Sequence, residues 1–233
     1  ALTFRKGLRD GLPICLGYLS VSFAYGMMAV EGGLPVWAAV LVSMTNLTSS
    51  GQFAGTALIF AGGSFLEIGI TTFVINIRYM LMSLSLSQKL DEKMSTLARS
   101  LLSFGNTDEI FAVAMQQHGK IPSRYLAGLM LTPYFGWALG TFLGAACTGV
   151  LPASVRSALG IAIYGMFIAI IVPPSRTNHA VLGAVLTAAG LSCLIYYTPL
   201  PISSGFSIIL CTVVTSVILA LIKPLPEEDE THA

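Results

Sequence analysis

Between Glu31 and Glu67 the chain carries no Asp, Glu, Lys or Arg, and the same holds from Arg176 to Lys223. An apolar run of about 20 residues spans the roughly 30 Å hydrocarbon core of a bilayer as a helix. In lipid, backbone N–H and C=O groups must pair within their own segment or with a close neighbour, so such runs are expected to be helical. They are too long and too evenly apolar for the alternating strands of about 10 residues that build an outer-membrane barrel.

The rest of the 233-residue composition agrees. Only 10% of residues are charged, against 55% hydrophobic, whereas a soluble domain carries a charged share of about a quarter. The net charge of +1 gives no reason to expect nucleic acid. The four cysteines, Cys15, Cys147, Cys193 and Cys211, lie inside apolar runs without ligand spacing and read as small core residues. The first apolar segment is long and lacks a cleavage site, so it reads as a span rather than a signal peptide.

Apolar segments follow at about 12–30, 35–61, 65–86, 96–117, 125–150, 157–172, 180–198 and 204–222. Pro13 falls in the first turn of the first segment, where a missing N–H costs little. Pro173-Pro174-Ser175-Arg176-Thr177 reads as a helix break and loop. The fold class expected is all-α: a polytopic integral membrane protein of seven to eight spanning or partly spanning helices, one or more of them broken or re-entrant. One transmembrane domain is expected over 1–223, followed by a polar acidic tail over 224–233. A short echo joins Gly26, Ala29, Gly33, Leu34 and Pro35 to Gly144, Ala145, Gly149, Leu151 and Pro152. An internal repeat with halves 1–119 and 120–223 would produce such an echo, as would chance between Gly/Pro-rich helix ends.

Lys and Arg gather on the cytoplasmic side of membrane proteins. Eight full crossings put Arg5, Lys6, Arg9, Lys120, Arg124, Arg176 and Lys223 together there, but leave Lys89, Lys93 and Arg99 outside. A re-entrant second or third segment, with a fourth that does not fully cross, removes the conflict.

Three polar clusters interrupt the apolar runs. Residues 43–52 contain Asn46, Thr48, Ser49, Ser50, Gly51 and Gln52 in the middle of the second segment. Such side chains compete for the backbone, so a broken helix lining a cavity is expected, with freed N–H groups able to hold a carboxylate. Hydrogen-bonding glue between helices is the plainer alternative. In the third segment, Asn76-Ile77-Arg78-Tyr79 sets a cation well inside an apolar run. Arg78 needs a substrate carboxylate, Asp108 or Glu109 as counter-ion, or must snorkel to the interface. The third cluster, Asn106-Thr107-Asp108-Glu109, offers paired acids that can carry protons, or serves a helix dipole at the membrane surface. The three histidines are scattered, and no Walker loop, dinucleotide fingerprint or nucleophile elbow is present, so no metal, cofactor or enzymatic activity is expected.

Together these clusters resemble the AzlC family, the large subunits of bacterial branched-chain amino acid exporters. The matching residues are Ser50-Gly51-Gln52-Phe53-Ala54, Asn76-Ile77-Arg78-Tyr79 and Thr107-Asp108-Glu109, with Gly17 and Gly26. Where the family shows Asn-x-Arg-His this chain has Tyr79, and its tail is more acidic than is usual there. The resemblance implies proton-driven export of valine, leucine, isoleucine or methionine from the bacterial cytoplasmic (inner) membrane, together with a small AzlD-type membrane subunit. The expected site lies at mid-membrane between the second and third segments. Ser49, Ser50 and Gly51 N–H groups and Arg78 would take the carboxylate. Asn46, Gln52 and Asn76 would take the ammonium, and Phe53 and Phe73 the aliphatic chain. Asp108 or Glu109 would carry the proton. Asn46, Gln52 and Arg78 are expected to face one shared hollow. The rivals are a channel or exporter for another small solute, a membrane-embedded enzyme using Asp108 and Glu109, and a non-transporting scaffold.

Overall fold

The computed structural model describes residues 2–152, 154–155, 168, 171–198 and 202–222. Most of the expected segment 157–172, Lys223 and the tail 224–233 lie outside the described residues. The described chain is all-α and polytopic, with helices α1 (Phe4–Glu31), α2 (Val36–Thr45), α3 (Ser49–Phe60), α4 (Phe65–Asn76), α5 (Arg78–Lys89), α6 (Thr96–Ser103), α7 (Asp108–Met115), α8 (Ser123–Cys147), α9 (His179–Tyr197) and α10 (Ser204–Ile222). Helices α1, α8, α9 and α10 are each long and apolar enough to cross a membrane. Large apolar side chains such as Phe65, Trp37 and Leu66 are strongly exposed, as lipid allows and water does not.

Helix α1 starts earlier than the apolar pattern suggests. Thr3 caps it by accepting the Lys6 N–H at 3.2 Å, so the basic flank is helical and Pro13 lies inside the helix. Membrane helices tolerate such a proline because neighbouring groups satisfy the freed carbonyl.

Helices α1 and α8 form the spine of the fold, packed in parallel. Small residues make this approach possible. A Cβ at Gly128 would overlap the Phe4 carbonyl, one at Gly136 would meet Cys15, and one at Gly144 would overlap Phe23. The contact positions advance together along both helices, which fixes their relative direction. Both N-terminal ends carry basic residues, Arg5, Lys6 and Arg9 on one and Lys120 and Arg124 on the other, so this end faces the cytoplasm.

The second segment does not cross. Helix α2 descends from the outer end of α1 to Asn46, and α3 returns, with the Phe60 ring against Gly32. Midway, Ser43 bonds Thr141 of α8 at 2.6 Å, and Tyr25 of α1 bonds Thr56 at 3.0 Å. After Gly62 (φ +72°) turns the chain, α4 and α5 cross inward as one span, bent by 42° beside Ile77. The loop after α5 reaches the cytoplasmic end of α8, where Asp91 donates to the Ile121 carbonyl at 2.9 Å. Helix α6 then enters from the cytoplasm and α7 returns, its end tied to α1 by the 2.9 Å bond from Lys6 Nζ to Gln117 Oε1.

Two half-spanning hairpins therefore enter from opposite sides, α2–α3 from outside and α6–α7 from inside. Each follows a spanning segment that ends on the side it enters from. Residues 4–60 and 65–115 thus form an inverted pair of span plus hairpin, an architecture known from transporters. This is a different repeat from the echo between the ends of α1 and α8. It also settles the charge conflict: Lys89, Lys93 and Arg99 join the other cytoplasmic Lys and Arg residues.

The last two helices are attached lightly. Glu67 of α4, buried, accepts from Ser203 Oγ and from the Gly205 N–H at 3.1 Å, which caps the start of α10 from the outer side. Residues 171–177 are helical, so the chain turns at Asn178, whose side chain caps α9, rather than at Pro173-Pro174. The cysteines are not core residues. Cys193 is exposed and the other three are half-buried, all of them free thiols.

Candidate functional site

Hairpin tips at residues 46–48 and 104–107 meet beside Tyr18 and Trp137, which stand near the midpoints of α1 and α8. Between them lies a pocket lined by Tyr18, Leu47, Thr48, Ser49, Tyr79, Thr107, Asp108, Glu109 and Trp137. Its cavity of about 10 Å³ is room for a single water.

Both returning helices, α3 and α7, point their N-terminal ends into this place. The first N–H groups of a helix have no partner inside it. At the membrane surfaces Thr3, Ser64, Ser95 and Asn178 cap α1, α4, α6 and α9 with their side chains. The mid-membrane N-caps, Thr48 and Thr107, do not. Thr48 instead donates to Asn76 Oδ1 at 2.7 Å, and Thr107 accepts from Tyr18 at 2.6 Å. Two uncapped N-termini, each carrying a partial positive charge, thus converge at bilayer depth.

The two tips differ in charge. Around α3 the groups are neutral: Ser49, Ser50, Gly51, and the Asn76 amide resting on Gly51, where any Cβ would crowd it. The first turn of α7 holds Asp108 and Glu109. Arg78, at the bend between α4 and α5, pairs with Asp108 at 2.9 Å and lies over the Tyr79 ring at 5.3 Å. Glu109 has no cationic partner among the described residues and accepts from Tyr18 at 2.5 Å. The pocket therefore offers uncompensated N–H groups on one wall and one net carboxylate on the other. Such a place suits a small zwitterion.

An inverted correspondence runs through the pocket. Tyr18, on the first span, reaches Thr107 of the second hairpin. Tyr79, on the second span, reaches Thr48 of the first hairpin at 3.4 Å. Each threonine is followed by two polar residues, Ser49-Ser50 or Asp108-Glu109.

Of the expected site residues, Ser49, Asp108 and Glu109 line the pocket. Ser50 and Gly51 share the first turn of α3, with Asn76 packed on it, and Arg78 reaches the pocket wall through Asp108. Gln52 lies elsewhere, fully buried, donating to Ser43 Oγ at 2.6 Å and accepting from Trp137 Nε1 at 3.1 Å, so that it braces the first hairpin on α8. Asn46 ends α2 and gives its carbonyl to the Thr48 N–H. Asn46, Gln52 and Arg78 therefore do not share one hollow: the helix breaks between Asn46 and Gln52, which leaves them on separate helices with different neighbours, and Arg78 turns to Asp108. Phe53 stacks edge-on with Tyr25, and Phe73 is 57% exposed on the outer face, so neither lines the pocket. Tyr18, Leu47, Thr48, Tyr79, Thr107 and Trp137 complete it instead. An Asn shortly followed by Thr and two more polar residues, at 46–50 and at 106–109, is the signal in the sequence that could have marked both tips.

These features define a polytopic α-helical membrane protein with a polar pocket held at mid-membrane between opposed half-spanning hairpins. The chain belongs to the AzlC family: the family model described as AzlC protein matches residues 13–151, which contain the whole pocket. It is 27% identical to the inner membrane protein YgaZ of Escherichia coli, over 97% of this chain and 94% of that one. An uncharacterized membrane protein of Archaeoglobus fulgidus is 33% identical over 76% of this chain and 78% of its own length. No solved structure matches the chain. The protein is a multi-pass protein of the inner membrane.

Proposed function

We propose that the protein is a secondary active exporter of branched-chain amino acids, with methionine as a further substrate, driven by protons and working with a small AzlD-type membrane subunit. The observation that carries this reading is the pairing of tips: uncapped N–H groups on α3 face a carboxylate on α7 at bilayer depth. The amino acid carboxylate takes the N–H groups of Ser49, Ser50 and Gly51, while Glu109 takes the ammonium. Leu47 and Trp137 receive the aliphatic chain. An apolar wall separates side chains differing by one methylene by only about 1–3 kcal/mol, which suits a broad branched-chain range. Asp108, tied to Arg78, is the carboxylate left to exchange protons. The cavity as it stands admits no amino acid, so loading requires the tips to part, as alternating access between inverted halves does.

Reconstituted protein, with and without the small subunit, tests the reading through L-leucine efflux from preloaded vesicles. The expected result is saturable, stereoselective efflux that an inward proton gradient accelerates. Efflux no faster than in protein-free vesicles, with the subunit present, overturns it.

A further inference from the structure

A second hollow opens on the cytoplasmic side of the tips, between α5, α6 and α8, with a volume of about 260 Å³. This approaches the lower bound of small-molecule sites, roughly 300 Å³. Its floor is Asn106, 4% exposed, which donates through Nδ2 to Ser83 Oγ at 2.9 Å and leaves Oδ1 without a partner. Ser83 can serve either end of the amide, so one end stays unsatisfied whichever way the group is turned. A buried polar atom left bare is costly, and a ligand is one way such an atom is satisfied. The walls are apolar: Leu86 and Leu90 from α5, Leu102 from α6, Leu126 from α8. On the same lining, Arg99 is steadied by the Met94 and Asp91 carbonyls at 3.3 and 3.2 Å and pairs with no carboxylate among the described residues.

We propose that this hollow is a loading site for an aliphatic amino acid arriving from the cytoplasm. The amino group takes Asn106 Oδ1, which is buried in this state, once the amide turns toward the hollow, and the side chain lies among the four leucines. Arg99 draws the carboxylate-bearing ligand inward, as a lone cation at a cleft does. Asn106 is followed by Thr107 of the central pocket, so the loaded ligand waits one residue from the hairpin tip. The identity of the ligand rests on the transport reading above; the site itself rests on the bare amide and the hollow.

Ser87, on the cavity wall but away from the tip, allows a filling test that spares the floor. Equilibrium binding of labelled L-leucine to the reconstituted protein should give two per chain for wild type and one for Ser87→Trp. The half-saturating internal leucine for efflux should rise about tenfold in Ser87→Trp and Asn106→Ala, the scale of one lost polar contact, with the maximal rate of Ser87→Trp within twofold. A wild type that binds one leucine, or a Ser87→Trp protein that binds and exports like wild type, overturns the loading site while leaving transport intact. A wild type with no saturable efflux at all defeats the transport reading, and the hollow is then judged by whether the leucine that wild type still binds is lost in Ser87→Trp: loss upholds it, and retention or no binding overturns it.

Discussion

The two hairpins are the same device built with different chemistry. Each breaks near bilayer mid-depth, returns through a helix whose N-terminal threonine does not cap it, and touches a tyrosine from the opposite repeat. The outer tip is neutral and presents the unpaired N–H groups of a helix start. The inner tip places two carboxylates on a helix N-terminus, with one matched by Arg78. Fold symmetry thus supplies two equivalent walls, and side-chain asymmetry makes one neutral and the other anionic.

The largest expected effect separates the tips by their electrostatics. A charge at the centre of a membrane helix costs about 2.5–3.5 kcal/mol. Arg78→Leu or Asp108→Leu leaves the other charge alone and is expected to lower stability by about 2–3 kcal/mol, with partial recovery in the double variant. The side chains are 48% and 42% exposed, so relief by headgroups or water trims the figure toward its low end. At the outer tip, Thr48→Val with Asn76→Leu should show a coupling nearer 0.6 kcal/mol, roughly the average for hydrogen bonds between membrane helices. Unfolding of all variants in detergent measures both. Equal coupling at the two tips would mean that the ion pair is solvated rather than structural.

A smaller effect tests the division of labour between backbone and side chain. Ser49 is the first helical residue of α3, and Thr48 before it is already extended at φ −145° and ψ 123°. Proline is at home there, so Ser49→Pro removes one N–H without breaking the helix. It is expected to slow leucine efflux about tenfold, the scale of a lost charge-assisted bond, whereas Ser49→Ala stays within twofold. At the inner tip Glu109→Gln should slow efflux by about 10–100-fold without loss of stability, because relief of an unpaired charge at membrane depth offsets the weaker bond from Tyr18. If Ser49→Ala proves as harmful as Ser49→Pro, the outer tip acts through its hydroxyl instead.

The membrane class was legible because it depends on run length and charge count alone, which survive any arrangement of helices. A re-entrant second or third segment, with a fourth that does not fully cross, was legible as the remedy for Lys89, Lys93 and Arg99, since basic residues obey the membrane whatever the packing. That the second is the one that turns back came only from its contacts with α1 and α8. The bend beside Ile77 was not legible, because the polar cluster Asn76-Ile77-Arg78-Tyr79 that marks it reads equally well as a binding group or a snorkelling cation in a straight helix. Site residues divide the same way. Ser49, Asp108 and Glu109 sit at a helix start, where chain position dictates direction. Gln52 lies further along α3, and its direction depends on Ser43 and Trp137 from other elements. Tyr18 had no local signal at all: its role exists only because the second hairpin, remote in sequence, arrives beside it.

The smallest effect concerns the two tyrosines that cross between the repeats. Tyr18 donates toward Thr107 at 2.6 Å and Glu109 at 2.5 Å, while Tyr79 stands 3.4 Å from Thr48. Hydrogen bonds to charged acceptors contribute about 1.5–3 kcal/mol and long, neutral ones far less. Tyr18→Phe is therefore expected to lower stability by about 1.5 kcal/mol, and Tyr79→Phe by no more than a few tenths, read from paired melting curves. If the two losses are equal, the tips also close with equal strength, and the asymmetry of this pocket lies in its charge alone. If Tyr79→Phe is the costlier, the outer gate is the tighter one, and the resting protein is held open more readily toward the cytoplasm, where Asn106 and its hollow lie.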